Sequence, residues 1–245
     1  EAAKLRRDLE EVAILRSLQQ GAADTLQAGL EGVQQARTEL SKAIADRTEL
    51  PKRFSEDPIQ TALLIASTET LEGFASGLAE LPLTLTNDIV LPDITEQKGQ
   101  LAWPVHAQIL RKAGEADAAG IRRPGSVLAT RPRALVTTPV PATIRYRGPL
   151  LEYGNVMILE PRPGLLFVLA GMDVVYGETG QVLSAGSPVG LMGGNSPDVD
   201  AILSQSGEGS GAGAGQDRSE TLYIEVREDN STVDPETWFT ANKDR

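Results

Sequence analysis

Cysteine is absent from this chain, and histidine occurs once, at His106. The first absence excludes thiolate metal sites, disulfide frameworks and cysteine nucleophiles. The second excludes a metal centre built from several imidazoles, and a lone histidine is an ordinary surface or core-edge residue more often than a ligand. Aromatic residues make up only 4% of the sequence, so the core is expected to be aliphatic, and a hydrophobic content of 40% is enough to build one. Basic residues are outnumbered, 23 against 34, giving a formal net charge of −11 over 245 residues. A surface of that sign disfavours nucleic acid and anionic lipid as partners. No apolar run is long enough to span a membrane, and no signal peptide pattern precedes Glu1. Because Glu1 already falls inside a helical pattern, the chain is expected to be a mature or truncated piece of a longer protein.

What is present divides into four stretches. Residues 1–50 read as one long helix, with Leu5, Leu9, Val12, Leu15, Leu18, Ala22, Leu26, Leu30, Val33, Ala36, Leu40 and Ile44 spaced by threes and fours. At 1.5 Å per residue such a helix extends about 70 Å, more than a small domain can cover, so it needs a partner helix. Gly21, Gly29 and Gly32 interrupt the stripe, which favours one arm of a coiled-coil hairpin whose other half lies upstream. Residues 51–81 begin at Pro51 and contain a second amphipathic helix from about Ile59 to Leu81, with Leu63, Leu64, Ala66, Leu71, Phe74, Ala75, Leu78 and Leu81 as its apolar positions. It could pack on the coil or on the next domain. Residues 82–100 read as an extended linker. Residues 101–245 turn to β character, with strands expected near 127–129, 134–137, 143–146, 155–160, 165–169 and 221–227. A Gly/Ser-rich flexible loop is expected over 204–219. The fold class is therefore α+β: coiled-coil and amphipathic helices before a mainly β domain.

The last of these strands is the most informative. In Thr221-Leu222-Tyr223-Ile224-Glu225-Val226-Arg227, alternation puts Leu222, Ile224 and Val226 toward the core and Thr221, Tyr223, Glu225 and Arg227 on the opposite face. With Val233-Asp234-Pro235 and Trp238 after it, the strand resembles the last motif of the LytM, or lysostaphin-like, zinc metallopeptidases, His-x-His-Phe-Glu-Val-Arg followed by Val-Asp-Pro and an aromatic. Further phrases keep the family's order. Ala102-Trp103-Pro104-Val105 looks like its opening strand, and Arg123-Pro124-Gly125-Ser126-Val127 stands where it has His-x-Gly-x-Asp. Pro139 to Ile144 resembles its Ala-Pro-Ala-Asp-Gly-Thr-Val turn, and Tyr153 to Glu160 its Tyr-Gly-Asn-Val-Val-Ile-Ile segment. Leu169-Ala170-Gly171-Met172 replaces Tyr-Ala-His-Leu, and Val182 to Gly190 resembles Val-Lys-Ala-Gly-Gln-Pro-Ile-Gly.

The resemblance implies a peptide-binding groove whose zinc site has been emptied. Its three ligand positions fall on Arg123, Val127 and Tyr223, and its two assisting histidines on Gly171 and Thr221. A guanidinium cannot ligate, valine has no donor atom and a phenol is a poor substitute. No metal, no cofactor and no catalytic residue is therefore expected. The groove is expected to bind a partner through Arg123, Val127, Gly171, Thr221, Tyr223, Glu225 and Arg227, with Arg147 and Tyr153 at its rim. A long coiled coil before a degenerate LytM domain is similar to the EnvC-type murein hydrolase activators. That similarity implies a periplasmic protein of cell division that switches on N-acetylmuramoyl-L-alanine amidases. It also implies docking of the coil on the periplasmic part of the FtsEX complex, and a helical arm that restrains the groove. The alternative from another class is a passive peptidoglycan-binding or septal scaffold module.

Overall fold

The computed structural model describes residues 50–194 and 220–240, with scattered helical positions between residues 12 and 38. The chain divides into two units, one of Glu1–Asp46 with Pro197–Gly215 and one of Arg47–Ser196 with Gln216–Arg245. In the first unit every described position is helical, and Val12, Leu26 and Leu30 are exposed. The pairing expected for the long helix over 1–50 and the loop expected over 204–219 lie outside the described residues.

The second unit opens with two short helices. Asp57 starts α1 (Pro58–Ser67), its carboxylate accepting from the Ile59 and Gln60 amides at 3.0 and 3.2 Å, with Pro58 at the first helical position. The single helix expected from Ile59 to Leu81 is broken at Thr68. There the Thr68 hydroxyl donates to the Leu64 carbonyl at 2.8 Å, and Thr70 starts α2 (Leu71–Glu80) by accepting from the Gly73 amide at 3.0 Å. Hydroxyl side chains satisfy both backbone ends that the break exposes, which is why it forms. In α2, Leu71, Phe74, Ala75 and Leu78 recur at helical spacing and all four are buried.

The main sheet has eight strands and is antiparallel throughout. Its path runs β10 (Val182–Leu183), β6 (Ala142–Pro149), β7 (Asn155–Arg162), β8 (Leu165–Met172), β12 (Glu220–Glu228), β4 (Ser126–Thr130), β3 (Ala107–Arg111), and β13 (Ser231–Val233) also pairs with β12. A second sheet joins β5 (Leu135–Thr137), β11 (Pro188–Leu191) and β9 (Val174–Val175). The six expected strands are β4 to β8 and β12, with shifted ends. The opening strand expected at 102–105 is not formed; the indole of Trp103 donates to the Thr240 carbonyl at 2.8 Å, and the first long strand begins at Ala107. The expected linker 82–100 is tied down instead. Its β2 (Thr84–Leu85) pairs with β1 (Phe54–Ser55), and Ile94 is fully buried in the core.

Both faces of the sheet carry a cover, the outer one over only part of its width. Inward, Leu222, Ile224, Val226, Leu159 and Phe167 join Val136 and Val189 of the small sheet and Trp238 and Phe239 of the C-terminal turn. Outward, Tyr146, Val156, Ile158, Leu166, Val168 and Ala170 receive the apolar side of α2. Phe74 meets Tyr146 edge-on at 4.7 Å between ring centres.

Candidate functional site

Backbone pairing gathers most of the candidate residues. Tyr223 stands opposite Val127 of β4 on one side and Ala170 of β8 on the other, and Thr221 stands opposite Ala129. Directly opposed residues share a face, so these side chains all lie on the outer side of the sheet. Gly171 follows Ala170 with a φ of 98°, and a Cβ built there would lie 2.6 Å from the Thr221 carbonyl oxygen. Only glycine accepts both constraints. Arg123 lies exposed on the lead-in to β4, two residues before Gly125, whose amide donates to the Tyr223 phenol oxygen at 3.0 Å. Val127, Gly171, Thr221 and Tyr223 thus surround one point, with Arg123 at its edge.

From that point a chain of polar contacts runs along β12. The Tyr223 hydroxyl donates to Glu225 Oε2 at 2.8 Å, and Arg227 Nη1 donates to Glu225 Oε1 at 2.8 Å. Arg227 Nη2 donates to Ser76 Oγ of α2 at 2.6 Å and to the Asn230 carbonyl at 2.9 Å. Glu225 and Arg227 do not line an open groove as expected: their relative exposures are 1% and 2%. The reason is α2, which seals the C-terminal half of β12 and leaves only the Tyr223 and Thr221 end accessible. Burial is the main reason that the Tyr223 phenol titrates far above its ordinary range, and the Glu225 carboxylate adds to it. The phenol therefore stays protonated and keeps donating.

A second arginine holds the same helix two residues further along, near its C-terminus. Arg145 Nη2 donates to the Leu78 carbonyl at 2.6 Å, while Nη1 faces Glu160 at 3.4 Å and the guanidinium lies 5.4 Å from the centre of the Phe54 ring. Burial lowers the pKa of Arg145 and the Glu160 carboxylate opposes that shift. Arg53 Nη1 adds a second cation to Glu160 at 3.1 Å.

Arg147 departs from its expected place at the rim. A register shift between Ile144 and Tyr146 sets Arg145 and Tyr146 both toward α2, so Arg147 pairs with the inward-facing Met157. It is exposed on the opposite side, where it lines a polar cleft with Lys52, Glu56 and Glu178. Tyr153 is half-buried at the border of the outer cluster. Sequence reasoning missed Ser76, Arg145 and Asn230, and placed Gly125 only as the glycine of a resembled phrase. Only Ser76 carried a signal, as a hydroxyl beside the apolar positions Phe74, Ala75 and Leu78.

This donor set does not fit a catalytic zinc. Three ligand atoms with an open fourth position are required, whereas Val127 offers none, Arg123 offers only N–H donors, and the Tyr223 oxygen is protonated and already accepts from Gly125. His106 is exposed in the turn before β3. What the arrangement can do is bind: it presents an aromatic, small floor residues and a basic edge beside the docked α2.

No family profile matches the chain, and no curated protein does. Solved structures do. Csd3 from Helicobacter pylori is similar at 17% identity and a TM-score of 0.43, over 59% of this chain and 36% of that one. A putative M23 peptidase from Pseudomonas aeruginosa is similar at 12% identity and a TM-score of 0.46, over 77% of this chain and 64% of that one. A chain of the SpoIIQ–SpoIIIAH pore-forming complex is similar at 19% identity and a TM-score of 0.43, over 57% of this chain and 90% of that one.

Proposed function

We propose that this chain is a non-catalytic activator of N-acetylmuramoyl-L-alanine amidases in cell division and daughter-cell separation, acting in the periplasm, with the outer face of β12 as docking surface and α2 as its cover. The observation that carries this reading is the seat of α2 on Glu225 and Arg227. A face used for substrate would be open, and this one is closed by a helix of the same chain through Ser76 and Arg227.

The cover is suited to removal. It has ten residues and includes Gly73 and Gly77, each costing about 1 kcal/mol relative to alanine in a helix interior. An isolated helix of this length is marginal, so docking contacts hold it rather than its own propensity. A partner that binds only the uncovered face shifts the population toward the open state by its difference in affinity. The helix expected over 1–50, docked on the periplasmic part of FtsEX, would supply the displacing input, and peptidoglycan would lie nearby as the amidase substrate.

Dye release from labelled sacculi tests this reading, using the chain alone, a cognate amidase alone, both together, and both with Phe74→Ala. Stimulation is expected only in the mixture, and more strongly with Phe74→Ala. Release by the chain alone would restore an enzyme; co-sedimentation with sacculi without stimulation would leave a passive scaffold.

A further inference from the structure

We infer that the part of the outer face left open beside α2 is a docking site of its own, shaped for one acidic amphipathic helix of the partner laid alongside α2 while α2 remains in place. This rests on the reading of the chain as a docking module and specifies the chemistry and order of the docking.

The outer cluster under α2 takes its sheet residues from β6, β7 and β8 and ends at Tyr223 on β12. Neither β4 nor β3 contributes to it. On the remaining strands, Val127 and Ala129 are half-exposed, and Gln108 and Thr221, which flank Ala129 in register, are exposed. The floor is therefore low, because its residues are short. Strands β12, β4 and β3 span about 10 Å from first to last, close to the diameter of one helix. The covered half of the same face already shows how this sheet accepts a helix, through small and apolar side chains at i, i+3, i+4 and i+7.

Charge identifies the occupant. The chain carries −11 overall, yet the rim of this trough is basic. Arg111 stands opposite Val127 in register and Arg123 precedes β4; neither has an ion-pair partner among the described residues. The nearby Asp117 carboxylate accepts from the Ala119 and Ile121 amides, both at 2.9 Å, and also feels the charges of Arg111 and Arg123, so it offsets one of the two and the rim keeps a net positive charge. Two apolar side chains lie outside the arginines, Leu110 at 56% and Ile121 at 53% exposure. A helix with a small apolar stripe and a carboxylate flank complements this arrangement. Tyr223 borders both halves, so such a helix would touch the residue that leads through Glu225 and Arg227 to Ser76.

The test uses two synthetic peptides of about 14 residues, long enough for four helical turns. They share one Ala/Leu stripe and differ in a Glu or a Lys flank, and fluorescence anisotropy follows their binding to the intact chain. The Glu peptide is expected to bind, more weakly as salt rises, and the Lys peptide is not. Arg123→Glu should weaken binding about tenfold or more, and Ala129→Trp should abolish it, with melting curves confirming that both variants fold. Amide exchange in 71–80 should stay slow with peptide bound. Equal binding of the two peptides, no binding, indifference to both substitutions, or loss of α2 protection would each overturn the inference. The sacculus assay separates the two proposals. If the Glu peptide behaves as expected but no amidase is stimulated, the amidase reading fails alone. If stimulation is intact in Arg123→Glu and Ala129→Trp, the trough fails alone.

Discussion

The Tyr223 hydroxyl accepts from the Gly125 amide while donating to Glu225 within its own strand. Tyr223→Phe removes both bonds and is expected to destabilise the chain by about 1–2 kcal/mol. It should also change the alkaline limb of stability. The folded phenol titrates above its unfolded value of about 10, so the folded state retains a proton that the unfolded chain releases. Its contribution is complete below pH 10 and declines as pH rises beyond it. Urea unfolding at pH 8 and 11 should show the wild type losing more stability than Tyr223→Phe over that interval; parallel losses would refute this. Arg227 presents a harsher case, because Glu225 beside it is almost fully buried. Arg227→Met leaves an unpaired buried carboxylate and should cost about 3–5 kcal/mol, whereas the double variant Glu225→Gln, Arg227→Met should recover much of it. An additive double variant would show that the pair is not coupled.

The helix α2 is where the stimulation expected of Phe74→Ala originates. Phe74 is fully buried against Tyr146, and its truncation removes about 3–5 kcal/mol of packing if the site cannot collapse. A ten-residue helix can undock instead, so exchange of the 71–80 amides should accelerate while the sheet amides remain protected. How much of this was legible follows from local rules. The alternation of β12 and the apolar spacing of α2 are periodic, and both elements form where those periods place them. The break at Thr68 depends on hydroxyls competing with backbone partners, and periodicity does not register it. The fate of Arg145, Tyr146 and Arg147 depends on one extra residue in β6, which reverses the facing of everything after it. Glu225 and Arg227 were assigned to the correct face; what covers that face is a contact across some 150 residues of sequence, between Ser76 and Arg227, and no local pattern carries it.

At the scale of the domain, a sheet whose inner face is buried except at its Arg147 edge, and whose outer face is shared between a helix and solvent, separates stability from recognition. The inner face holds the domain together, with Trp238 and Phe239 closing it. The outer face can therefore exchange its cover without unfolding what lies beneath. Gly171 fixes the backbone beside that outer face. Its left-handed backbone and the 2.6 Å approach to the Thr221 carbonyl mean that any side chain placed there meets main chain, which does not move aside as a flexible side chain would. Gly171→Ala and Gly171→His should each lower stability by about 1–3 kcal/mol, measured by thermal melting, and an unaffected Gly171→Ala would refute this. The space beside Tyr223 is thus set by main-chain shape, so side-chain changes around it can alter what the face accepts without closing the gap at Gly171.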